Sequence, residues 1–244
     1  MLRTRRVALV TGASRGIGES IAVELASMGL ALALTARHPD ELASVVARCL
    51  ASGAPAAAAF TADLSNPDEL GPLIEAVTAR FGGLDVLVNN AGVWIEEPVA
   101  SADLAAWDRC LDVNLRAVIH LTHHALPWLV DGIAPAVVNI SSIAGQRSYA
   151  GGGIYTATKH GLMGFSGSLF HDVRERGVKV CAVCPGYVDT AMHAGRPNPL
   201  DRSAMIQPAD VARTVRFVLE FPANACPTEI TLMPQRHPTS GGRR

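Results

Sequence analysis

The chain has 244 residues, 49% hydrophobic and 18% charged, enough apolar material for one sizeable α/β core. Its 21 Lys and Arg stand against 22 Asp and Glu, for a formal net charge of -1. That balance gives no electrostatic reason to expect nucleic acid or an anionic membrane as partner, and favours a small neutral or locally anionic molecule.

Apolar runs at Val7 to Val10, Ala31 to Thr35, Ala56 to Phe60, Val86 to Val88, Val137 to Ile140, Val178 to Val183 and Ile230 to Leu232 read as strands. Amphipathic stretches such as Ile17 to Met28, Glu41 to Leu50, Asp68 to Arg80 and Val211 to Leu219 read as helices between them. Parallel neighbours need helical crossovers, so this alternation predicts a doubly wound, seven-stranded parallel sheet covered on both faces. One α/β domain over residues 1–237 is expected, followed by a flexible tail over 238–244. No run approaches the roughly 20 apolar residues that span a bilayer, and too little follows the basic "MLRTRR" to make a signal peptide. A cytoplasmic protein is expected. The five cysteines are scattered. Cys181 and Cys184 fall three apart on one strand and point to opposite faces, which argues against a metal site or redox pair.

The first strand runs straight into "TGASRGIG", where Gly12, Gly16 and Gly18 permit a sharp turn and a close approach to a ligand. With Ser14, Arg15 and Ile17 between them, they lead into a helix whose N-terminus offers free N–H groups to a pyrophosphate. The loop alone is equally a tight strand-to-helix turn. At the end of the second strand, "ALTARHPDEL" places Ala36 and Arg37 where NAD sites carry an acid. Asp40 and Glu41 fall in a helix's first turn, where they complement its dipole. Arg37 with Arg15 suits a 2′-phosphate, so NADP(H) is expected over NAD(H). The histidines of "IHLTHH", His120, His123 and His124, have no acidic or cysteine partner nearby in sequence and read as helical residues, with no metal expected.

In "GGGIYTATKHG", Tyr155 and Lys159 stand four apart and share a helix face. A cation about 5 Å from a phenolate interacts with it by roughly 3 kcal/mol, which would lower the tyrosine's pKa by about two. Such a tyrosine could trade a proton with a carbonyl oxygen. Gly151 to Gly153 are expected to offer no bulky side chain over it. Trp94, Tyr187, Met192 and Met205 are expected around the pocket.

Taken with "ADLSN", "LVNNAGV", "LDVNLRA", "VVNISSIAG" and "CPGYVDT", this ordered set resembles the short-chain dehydrogenase/reductase family over nearly the whole chain. The resemblance implies a Rossmann fold and an NADP(H) oxidoreductase that moves a hydride to a ketone or 3-oxo thioester, reversibly as an alcohol dehydrogenase. It implies that Asp63 and Leu64 lie along the adenine, and Asn89 to Gly92, Ala91 among them, beneath the ribose. Pro185, Gly186, Val188 and Thr190 would lie at the nicotinamide end. It assigns catalysis to Asn114, Ser142, Tyr155 and Lys159, with Ser142 thirteen residues before the tyrosine and Ser141 pointing to the other side. Lys159 would also grip the nicotinamide ribose, and Asn114 would support a water-borne proton path. A homodimer through the long helices near Asn114 to Leu129 and Tyr155 to Arg174, or a homotetramer, is the expected assembly. The turn "VDGIAPAV" lacks the basic face of 3-oxoacyl carrier-protein reductases, and "TEITLMPQRHP" lacks their terminal glycine-rich strand. Specificity is expected to reside in Val188 to Met205. A redox-sensing or scaffolding dinucleotide binder is the alternative, but such proteins usually lack the tyrosine or the lysine.

Overall fold

The computed structural model describes residues 5–193 and 200–238. Seven strands form one sheet: β1 (Val7–Thr11), β2 (Ala31–Ala36), β3 (Ala57–Thr61), β4 (Val86–Asn89), β5 (Ala136–Ile140), β6 (Lys179–Pro185) and β7 (Glu229–Leu232). Their order is β3-β2-β1-β4-β5-β6-β7, and every neighbouring pair is parallel. The strands match the expected runs to within two residues at either end. Seven helices alternate with them: α1 (Gly16–Ser27), α2 (Pro39–Ala51), α3 (Leu70–Phe81), α4 (Leu104–Leu111), α5 (Ala117–Leu129), α6 (Gly153–Val173) and α7 (Pro208–Glu220).

Strand alternation divides the core between the two faces. Ala8 and Val10 of β1, Val86 and Val88 of β4, and Cys181 and Val183 of β6 pack with Ile21, Val45 and Val215 from α1, α2 and α7. Val7, Leu9, Leu87 and Val180 pack on the other face with Leu73, Leu121 and Leu169 from α3, α5 and α6. Cys181 and Cys184 part accordingly: Cys184 Sγ lies 3.4 Å from Met163 Sδ of α6, while Cys181 belongs to the opposite face. Local chemistry sets the helix ends. Pro39 opens α2 with Asp40 and Glu41 in its first turn, and the Asp103 carboxylate accepts from the N–H groups of Ala105 and Ala106 to cap α4. Between α4 and α5 the chain makes a π-helical turn, Asp112–Arg116. No described helix is long and apolar enough to cross a membrane. Of the expected tail, only Pro238 falls within the described residues.

The far end of the sheet is fastened by Asp85. Its carboxylate is fully buried and accepts from Val7 N and Ile133 N, both at 2.6 Å. Replacing it strands two buried donors at a cost of about 1–3 kcal/mol each. Asp85→Ala is expected to lower the thermal midpoint by roughly 4 to 24 °C, measured by calorimetry. An unchanged midpoint would remove Asp85 from this role.

Candidate active site

The C-terminal ends of the strands open into a cavity of about 870 Å³. It lies where the strand order reverses beside β1, the place where open parallel sheets bind ligands. The floor is laced together by side chains. Thr11 Oγ1, at the end of β1, accepts from Asn90 N at 2.9 Å and Ala91 N at 3.0 Å, and Asn90 Nδ2 donates to Thr11 O at 2.8 Å. The glycine loop is close-packed on this floor. Gly12 has φ +62, and a Cβ there would sit 2.8 Å from Ala91 Cα; one on Gly18 would sit 2.2 Å from Gly12 O.

Gly12, Ser14, Arg15, Gly16, Ile17 and Gly18 line one end of the cavity, with Arg37, Asp63, Leu64, Ala91 and Gly92. Pro185, Gly186, Val188 and Thr190 line it after β6, and Val188 pairs with Ile206 to hold that segment. Ser142, Tyr155 and Lys159 reach it from the end of β5 and the first turns of α6.

Two expected residues stand elsewhere. Asn89, still inside β4, turns into the core, where its Nδ2 donates to Asn139 Oδ1 at 2.9 Å. Asn90, one residue later and free of the strand, takes the place by the cavity. Asn114 is fully buried and lies behind the wall. Its Oδ1 accepts from Val93 N and its Nδ2 donates to Val93 O, both at 2.8 Å. A Cβ on Gly92 would lie 3.3 Å from Asn114 Oδ1 and 3.8 Å from Lys159 Nζ, so Asn114 braces the loop in front of the lysine.

Lys159 is 4% exposed; it is no solvated surface lysine. Its Nζ donates to Ile140 O at 2.9 Å and lies 5.7 Å from the centroid of the Tyr155 ring. Burial pushes its pKa down to about 8. Tyr155, 9% exposed, is pushed up to about 12 by burial, with a hydrogen bond from Ser142 working in the opposite direction. The sequence-based expectation of a lowered tyrosine pKa is therefore reversed within the chain itself. Desolvation, which residue spacing does not reveal, is the largest cause of that shift.

Several lining residues were not evident from the motifs. Arg109 reaches Asp63 at 3.5 Å, and the Asp63 carboxyl is held low by hydrogen bonds from Ser65, with the nearby guanidiniums adding to the effect. His38 and Glu41 line the Arg37 end. Beyond Tyr155 the wall carries Trp94, Glu96, Arg147, Ser148, Tyr149, Tyr187, Met192, Met233, Pro234 and His237. Trp94, Tyr187 and Met192 were expected there; Met205 was too, but lines a separate small recess. Tyr149 corrects the view that the glycines leave the site uncovered: a Cβ on Gly152 would lie 2.5 Å from its ring, and its hydroxyl accepts from Trp94 Nε1 at 3.0 Å. Of Val188 to Met205, residues 194–199 lie outside the described residues. Among the described residues no cluster of three metal-ligating side chains occurs.

Residues 6–200 match the family model for short chain dehydrogenases. An uncharacterized oxidoreductase of Staphylococcus aureus (strain USA300) is 33% identical over 231 residues, covering 95% of this chain and 98% of its own. A crystal structure of a metagenomic short-chain oxidoreductase in complex with NADP is 35% identical and superposes with a TM-score of 0.82, covering 95% of this chain and 97% of that one. A 3-oxoacyl-[acyl-carrier protein] reductase from Brucella melitensis, in complex with NAD, is 30% identical with a TM-score of 0.86, covering 94% and 96%. The likeness runs through every element that builds the cavity, and the chain belongs to the short-chain dehydrogenase/reductase family of oxidoreductases.

Proposed function

We propose that the chain is an NADP(H)-dependent reductase of a small-molecule carbonyl compound, reversible on the alcohol, with Tyr155 as the proton donor. The observation that carries this reading is the convergence of Ser142, Tyr155 and Lys159 on one cavity wall, between the glycine loop and the segment after β6.

The residues present fit the cofactor. Gly12 and Gly18 leave no room for a side chain against the floor, so backbone N–H groups at the start of α1 can meet a pyrophosphate. Arg15 and Arg37 line the same end, and neither has a carboxylate within ion-pair distance among the described residues, whereas Arg109 already engages Asp63. Three guanidiniums, Arg15, Arg37 and Arg109, against two carboxylates, Glu41 and Asp63, at this end of the described lining favour a 2′-phosphate over a bare ribose.

NADPH, when bound, supplies the hydride. Tyr155, its pKa near 12, keeps its proton at neutral pH and can give it to the carbonyl oxygen. Ser142 donates a hydrogen bond to the same oxygen as charge develops there. Lys159 holds a positive charge below about pH 8, which favours the phenolate left after proton transfer. Asn114, paired with Val93, keeps the intervening loop from collapsing onto the lysine.

The fold carries that charge at a cost. A depression from 10.5 to about 8 corresponds to roughly 3 kcal/mol. Between those values the unfolded chain binds more protons than the native one, so stability rises with pH; below about 8 both states are charged and the full penalty applies.

Three outcomes are expected. Tyr155→Phe should lose 10²-fold or more in kcat while NADPH titration by fluorescence is unchanged; turnover at the wild-type rate on a ketone panel would sink the assignment. Arg37→Asp should reverse the preference for NADPH over NADH, by tenfold or more in the ratio of the two affinities. Equal affinities of the unaltered protein for the two cofactors would refute that choice. In urea unfolding, the stability of Lys159→Met relative to wild type should fall by up to about 3 kcal/mol between pH 7 and pH 10.5. A difference independent of pH would mean that Lys159 titrates in the native state as it does in the unfolded chain, with no burial penalty on its charge.

A further inference from the structure

Among the described residues that line the cavity, Arg147 follows Ser142 by five residues and is the one arginine not assigned above to the cofactor or paired with Asp63. Among the described residues, its guanidinium makes a single hydrogen bond, from Nη2 to Met233 Sδ at 3.4 Å, and no carboxylate lies within ion-pair distance. A thioether is a weak acceptor, so nearly all of the fork of N–H donors stays unspent. The backbone carrying it is braced. Gln146 Nε2 donates to Thr231 Oγ1 at 2.7 Å and also to Glu229. Glu229, Thr231 and Met233 alternate along β7 and its continuation, so one side of that edge takes both neighbouring side chains of the loop. Elsewhere on the lining stands Glu96, whose Cγ would lie 3.2 Å from a Cβ on Gly151 at the start of α6. An anion is therefore favoured at the β7 side, where Arg147 stands. Trp94, Tyr149 and Tyr187 also line the cavity.

We infer that the carbonyl substrate is an oxo acid with an apolar or aromatic body, and that Arg147 selects it by binding its carboxylate through parallel N–H···O bonds. This rests on the carbonyl-reductase reading above. The phosphates of a coenzyme A thioester offer anionic chemistry as well, but they lie many bonds from the reacting carbonyl, whereas Arg147, exposed on the cavity lining, stands only five residues after Ser142.

The test compares benzoylformate and levulinate with their ethyl esters, and acetoacetyl-coenzyme A with the neutral N-acetylcysteamine thioester, using NADPH oxidation as readout. Wild type should favour each acid over its ester by at least tenfold in kcat/KM, and Arg147→Gln should reduce that ratio by tenfold or more, chiefly through KM. Arg147→Lys should recover part of it. Tryptophan fluorescence titration of levulinate and ethyl levulinate against Tyr155→Phe reads the same preference without turnover. An acid-over-ester binding preference that Arg147→Gln abolishes supports the inference even where no oxo acid is reduced; the missing turnover then counts against the carbonyl reading alone. Esters or either thioester preferred by wild type, or a ratio unmoved by Arg147→Gln, would overturn it.

Discussion

Parallel pairing of β1 with β2 on one side and β4 on the other is the constraint on which the rest of this molecule depends. Parallel strands share one direction, so every C-terminal end opens on the same edge and every crossover leaves from there. Beside β1 the crossovers part to opposite faces, and a crevice follows from topology before any ligand is considered. Thr11 and Asn90 then stitch the crevice floor with hydrogen bonds between the ends of β1 and β4. The glycines above it are required by the tightness of that floor as much as by what it holds.

The chemistry of the site rests on buried charge. Lys159 is deep enough that burial alone takes its pKa down to about 8, yet its ammonium is satisfied by only one backbone carbonyl, Ile140 O, among the described residues. A group kept in so dry a setting acts strongly on its neighbours, because little water is present to screen it. Tyr155, raised by the same burial, holds its proton more firmly than a free tyrosine. Both are held by a frame that includes Asn114, whose amide pairs with Val93 as a strand residue would.

Much of this was legible in the sequence, for a physical reason. Runs such as Val7 to Val10 are apolar on both sides because both faces of a parallel sheet are covered, and that pattern needs no knowledge of neighbours. The glycine loop, Tyr155 and Lys159 were readable because their spacing is local, and Ser142 through the family resemblance. Asn89 was not, since which of two adjacent asparagines leaves the strand depends on Asn139 of β5, fifty residues away. The direction of the Tyr155 pKa was misjudged because spacing reports distance and not desolvation. Arg109 at Asp63 and the 233–237 segment at the cavity are tertiary placements with no local signature.

The tie between Gln146 and the edge strand also bears on how the molecule is made. β7 follows the other six strands in chain order, and β6 can complete its pairing with β5 before β7 leaves the ribosome. The loop after Ser142 gains its anchors at Glu229 and Thr231 only when that last strand docks. Cofactor-sized space can form early in synthesis, whereas the wall beyond it is the last part to set. In a nascent chain the crevice under the glycine loop would in this way exist before the wall after Ser142 is complete.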